Sequence, residues 1–140
     1  MASKIILDTN ILLDLTLQRS QDYTDLRKIY TGIINGNFKG YTTTAIIQTS
    51  AYWLTKHRGP AQAKAIILAL LNNITVIEAT HSVVVDAMQS NMEDTEDALQ
   101  YYTAMHHKLD AFISRDRAFI NASTPKLAVY HPADFIRIYF

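Results

Sequence analysis

The chain has 140 residues, 49% of them hydrophobic, with 13 basic and 13 acidic side chains that cancel, a length and composition that fit one domain (1–140) around one core. A neutral chain has no overall charge with which to attract nucleic acid, so any such contact must come from local patches. With no cysteine, disulfides, thiolate catalysis and cysteine-ligated zinc are excluded.

The opening Met-Ala-Ser-Lys and the short apolar run after it are too brief for a signal peptide. Lys4–Leu7 ends at Asp8 and reads as a buried strand. Asn10–Leu17 follows as a helix. Asp22–Asn35 places Tyr23, Leu26, Ile29, Tyr30, Ile33 and Ile34 at helical spacing, and Asn35-Gly36-Asn37 stops it. Phe38–Thr42 is a second strand. Thr43 or Thr44 caps a helix to about His57, and Gly59-Pro60 opens another that ends near Asn72-Asn73. Within it, Ala65–Leu71 is the longest nearly apolar stretch, far short of a membrane span. Ile74–Ile77 is the third strand. His81–Met88 is helical, capped by Thr80 or Ser82, and a further helix starts at Asp94 or Thr95 and runs to about His107. Asp110–Ser114 and Leu127–Tyr130 are the last strands, and Pro132 opens a terminal helix.

Short apolar strands separated by helices imply a mostly parallel sheet covered on both faces, a three-layer α/β/α arrangement. The expected protein is soluble and cytoplasmic, without membrane association. In open sheets of this kind, ligands sit beyond the carboxyl ends of the strands. Asp8 stands directly after the first strand, and Asp116 lies just past the fourth. Asp94 and Asp97 are three apart at a helix start, on one face, where negative charge is favoured by the helix dipole. Carboxylates brought to one sheet edge would raise one another's pKa, and a hard divalent cation relieves that conflict. Each has a plainer reading as well. Asp8 and Asp94 can be helix caps, and Asp116, within Ser114-Arg115-Asp116-Arg117, can be a solvated charge.

Taken as a set, the motifs resemble those of PIN domains. Ile5-Ile6-Leu7-Asp8-Thr9-Asn10 resembles the family's opening, Glu96-Asp97-Ala98-Leu99 its third acidic motif, and Phe112-Ile113-Ser114-Arg115-Asp116 its strand ending in Thr/Ser-Arg-Asp. Val129-Tyr130-His131-Pro132-Ala133-Asp134-Phe135 is similar to its C-terminal close. The resemblance implies a PIN-like α/β/α nuclease fold. It implies catalysis and metal binding by Asp8, Asp97 and Asp116, with Asp94 as an additional acidic residue, and with Mg2+ or Mn2+ as the ion. It also implies support from Asn10, while Ser114 and Thr9 can tune the pocket by hydrogen bonding. Small prokaryotic members of the VapC-like branch are toxin ribonucleases, so RNA, a cognate antitoxin and a homodimer partner are expected.

One position departs from the family pattern. PIN domains place a glutamate early in the helix after the second strand, and this helix begins Thr43-Thr44-Ala45-Ile46-Ile47-Gln48-Thr49. Counting from Thr43 as cap puts Thr49 in that slot, while a shift by one puts Gln48 there. Neither carries a charge, so a catalytically inactive RNA- or protein-binding version stands as the second reading.

Other residues carry weaker signals. Arg115, beside Asp116, can face an RNA phosphate or simply be solvated. His106-His107 point about 100° apart on a helix and cannot converge on one ion. Tyr101-Tyr102 and Tyr52-Trp53 can stack bases, although packing is the commoner use of such rings. An aspartyl-phosphate mechanism at Asp8 fits poorly, because Asn10 stands where such enzymes carry a second aspartate.

Overall fold

The computed structural model describes residues 2–140. Five strands form one sheet: β1 (Ser3–Leu7), β2 (Phe38–Thr43), β3 (Ile74–Ile77), β4 (Ala111–Ile113) and β5 (Ala128–Tyr130), in the order β3-β2-β1-β4-β5. Every pairing is parallel, so the sheet is wholly rather than mostly parallel. β1 lies at its centre, which is why Ile5, Ile6 and Leu7 are all buried whichever way they point. At the edge, β3 leaves Thr75 and Val76 exposed.

Eight helices connect and flank the strands: α1 (Thr9–Thr16), α2 (Tyr23–Ile34), α3 (Thr44–Arg58), α4 (Pro60–Leu71), α5 (His81–Gln89), α6 (Thr95–His106), α7 (Arg117–Asn121) and α8 (Pro132–Tyr139). The register shows the two faces. Ser3 pairs with Phe38 and Ile5 with Gly40 and Ala111, so these side chains point one way, toward α2 and α8. There Phe38 meets Phe135 of α8 at 5.3 Å between ring centroids. α2 approaches so closely that a Cβ on Gly32 would stand 2.8 Å from the Phe38 ring, which only glycine avoids. Phe112 points the other way, toward α7, with its ring 4.7 Å from that of Phe119. Tyr101 of α6 packs on Phe119 at 6.0 Å and donates its hydroxyl to the carbonyl of Leu127, at the foot of β5.

Local chemistry sets the helix ends. Thr43, Thr80 and Asp94 each accept a bond from a first-turn amide of α3, α5 and α6, which resolves the alternative caps at Thr44, Ser82 and Thr95. Gly59, at φ 82°, closes α3 and lets Pro60 start α4. The sequence reading missed α7, whose five residues Arg117–Asn121 are too few to show a period. No helix among the described residues is long and apolar enough to cross a membrane.

Candidate metal centre

The strand order reverses between β1 and β4. β1 leads outward to β2 and β3, and the chain then crosses back to β4 on the other side of β1. A parallel sheet opens a crevice at such a switch point, beyond the carboxyl ends of the two strands. Asp8 leaves β1 there and caps α1 through a 2.8 Å bond from the amide of Thr9 to Oδ1. Ser114 leaves β4 there, fully buried, and donates its hydroxyl to Asp8 Oδ2 at 2.8 Å. The same hydroxyl oxygen accepts from the amide of Asp116 at 3.0 Å. Ser114 therefore ties the two strand ends together. Asp116 in turn caps α7, with Oδ1 accepting from the amides of Ala118 and Phe119.

Asp94 and Asp97 come in on α6. Asp94 is its N-cap, accepting from the amide of Asp97 at 2.9 Å. Asp97 itself sits in the first turn, half-buried. Its carboxyl is pushed up to about 7, first by burial and then by the charges of Asp94, Asp8, Asp116 and Glu96. A helix N-terminus lowers a carboxyl pKa, so the upward shift means desolvation and like-charge crowding outweigh the dipole. The Asp8 carboxyl is also raised, mainly by burial, with Asp116 and Asp94 adding to it and the bonds from Ser114 and Thr9 opposing it. Asp8, Asp94, Asp97 and Asp116 therefore share one electrostatic neighbourhood.

Asp8 and Asp94 are the caps that the sequence offered, Asp116 caps α7 where a solvated charge was the plainer expectation, and all three carboxylates act on Asp97. The cluster is open, and an oxygen of each of these three accepts a capping bond. Among the described residues, no group of three or more His, Asp or Glu side chains stands close enough to grip an ion in this arrangement. The donor set still fits a divalent cation in its chemistry. It is all oxygen, it is crowded enough to hold a proton near neutrality, and a hard cation would displace that proton. A further oxygen lies close by in sequence. Asn10 Oδ1, in the first turn of α1, is buried without a hydrogen-bond partner among the described residues.

The remaining expected residues fall as follows. Thr43 is the cap of α3, as the count to the glutamate slot required, and Thr49 is half-buried while Gln48 is exposed. α3 carries no carboxylate anywhere along its length. One turn beyond Ile46, Ser50 is buried with an unpartnered hydroxyl, a feature the sequence reading passed over. Arg115 does not stand free. It is paired with Asp14, a buried carboxylate of α1 that also binds Arg19. The signal for Asp14 was present as a charge inside the apolar run Ile11-Leu12-Leu13-Asp14-Leu15, and a buried carboxylate requires cationic partners. Tyr101 is core, and Tyr102, half-buried, lines a cleft of about 540 Å3 that also includes Asp94, Asp97 and Met92.

A wholly parallel α/β/α sheet with acidic residues at its switch point defines the class of the protein. The family model described as a PIN domain matches residues 4–118, and the chain belongs to that family. Solved structures share the fold at low sequence identity. VapBC2 from Rickettsia felis, bound to a DNA fragment from its promoter, superposes with a TM-score of 0.70 at 13% identity, over 91% of this chain and 98% of that one. Mycobacterium tuberculosis VapC20, a toxin that cleaves the sarcin–ricin loop, gives 0.68 at 13% identity, over 87% and 97%. A toxin–antitoxin complex from Klebsiella pneumoniae gives 0.67 at 19% identity, over 91% and 97%. No curated protein matches the chain significantly by sequence.

Proposed function

We propose that the protein is a metal-dependent endoribonuclease and the toxin of a toxin–antitoxin pair. The observation that carries this reading is the placement of Asp8 and Asp116 after the carboxyl ends of neighbouring strands β1 and β4, with Asp94 and Asp97 of α6 near enough that the Asp97 carboxyl is pushed up to about 7. Membership of the PIN family and likeness to toxins of the same fold support it. Asp8, Asp97 and Asp116 would hold Mg2+ or Mn2+, with Asp94 beside them. When bound, such an ion supplies charge stabilisation for in-line attack by water on a phosphodiester.

The chain's own residues prepare the site. Ser114 orients Asp8 and opposes its protonation by donating to Oδ2. Burial and like charge favour a proton on Asp97, with its carboxyl pushed up to about 7, and a bound cation would displace that proton. Asn10 offers an unpartnered amide oxygen two residues from Asp8. Thr49 occupies the glutamate slot without a charge, and Arg115, paired with Asp14 but partly exposed, stands beside Asp116 as one candidate cation for an RNA phosphate. Exposed Tyr52 and Trp53 on α3 and Leu68 on α4 support a protein partner, a cognate antitoxin or a second copy of the chain.

A second reading rests on α3, which supplies no carboxylate. On that reading the protein is a non-catalytic module that binds RNA or protein. The two are separated by incubating partner-free protein with a structured RNA pool, with Mg2+, with Mn2+ and with chelator, beside an Asp8→Asn/Asp97→Asn variant. Metal-dependent cleavage that disappears in the variant is the expected result. Folded protein that cleaves with neither metal would establish the binding module instead.

A further inference from the structure

α1, capped by Asp8, carries Asp14 six residues beyond that cap, facing inward with 1% of its side chain exposed. Three cationic contacts converge on it. Arg19 Nε donates to Oδ1 at 2.9 Å. Arg115 reaches both oxygens, with Nη2 donating to Oδ1 at 3.3 Å and Nε in charge contact with Oδ2 at 2.5 Å. Arg19 ends its own path in the turn after α1, but Arg115 sits between Ser114 and Asp116, in the loop that leaves β4. That loop is thus held to α1 at two places, by Ser114 on Asp8 and by Arg115 on Asp14.

We propose that Asp14 and Arg115 are positioning residues for the metal centre: the buried carboxylate grips the guanidinium and fixes the Ser114–Asp116 loop against α1, holding Asp116 at a set distance from Asp8. This rests on the metal-site reading above. The pairing suits the task. A guanidinium is planar and permanently charged, so its fork sets direction as well as distance, which a lysine cannot do. Neighbours that orient metal ligands without touching the ion typically change affinity about 10- to 100-fold when lost. Occupied in this way, Arg115 is a strut first, and only its outer donors remain for solvent.

The test is Mn2+ affinity by calorimetry on chelator-stripped full chain, without RNA, for the wild type, Asp97→Asn, Asp14→Asn, Arg115→Gln, Arg115→Lys and Arg19→Gln, each with a thermal melt. Asp14→Asn and Arg115→Gln are expected to weaken Mn2+ binding about tenfold or more. Arg115→Lys should recover part of the loss, and Arg19→Gln should stay within about twofold of the wild type. Because Arg115 is 38% exposed and its removal leaves Asp14 paired with Arg19, Arg115→Gln keeps the test decisive if Asp14→Asn melts early. Unchanged Mn2+ affinity in a folded Arg115→Gln, beside a wild type that binds and an Asp97→Asn that does not, overturns the positioning role alone. A wild type that binds Mn2+ no better than Asp97→Asn overturns the metal site and the positioning role with it.

Discussion

Protonation of Asp97 makes metal affinity depend on pH in a way that can be worked out beforehand. With its carboxyl near 7, the side chain is about nine-tenths ionised at about pH 8, half ionised at about pH 7 and one-tenth ionised at about pH 6. A cation that needs the carboxylate must displace the proton, so the apparent Mn2+ affinity should fall roughly tenfold from about pH 8 to about pH 6. Binding near pH 6 should release about one proton, and near pH 8 only about a tenth of one. Calorimetry in two buffers of different ionisation enthalpy reads both quantities. Equal affinities at the two pH values with no proton release would show that the crowding at Asp97 is not relieved by metal. The same shift acts on folding with a definite sign. The folded-state pKa lies above the unfolded value of 3.8, so the folded chain holds the extra proton between about 4 and 7. Its contribution to stability is fully present below the unfolded value and is lost as pH rises through about 7. The metal-free protein should therefore melt earlier at about pH 8 than at about pH 6 as far as this group decides, and Mn2+ should restore more of the lost temperature at the higher pH.

Three further outcomes follow from particular contacts. Ser114→Ala leaves Asp8 Oδ2 and the amide of Asp116 without their buried partner, so it should cost about 1–3 kcal/mol in chemical denaturation. It should also raise the Asp8 carboxyl further, since that hydroxyl is the largest influence opposing its protonation; the carboxyl chemical shift against pH reads this directly. Gly32→Ala drives a methyl to 2.8 Å from the Phe38 ring and should cost about 1–3 kcal/mol while leaving Mn2+ affinity unchanged. Thr49→Glu restores a carboxylate to α3 and should tighten Mn2+ binding severalfold; an unchanged affinity would mean that Thr49 does not face the site.

Much of this protein can be read from its residues in order. Lys4–Leu7, Phe38–Thr42 and Ile74–Ile77 identify strands as short runs of strand-forming residues bounded by turn and cap residues, and the structure places β1, β2 and β3 there with ends shifted by a residue at most. Asp8 and Asp116 were legible as strand-end aspartates, and their sequence context connected them with Asp97. What the sequence left open was set by packing. Five residues at Arg117–Asn121 show no period of their own, and α7 exists because Asp116 caps it and Phe119 seats on Phe112 and Tyr101. Arg115 stood between a phosphate contact and a solvated charge because its partner Asp14 lies 101 residues away. The carboxyl of Asp97 is raised to about 7 only because α6 carries it into partial burial beside Asp94, Asp8 and Asp116. Local propensity and hydrophobic pattern act between near neighbours and therefore survive in one dimension. Charge crowding and ion pairing depend on distances through space, and the strand order β3-β2-β1-β4-β5 together with the placement of α6 brings those groups near one another.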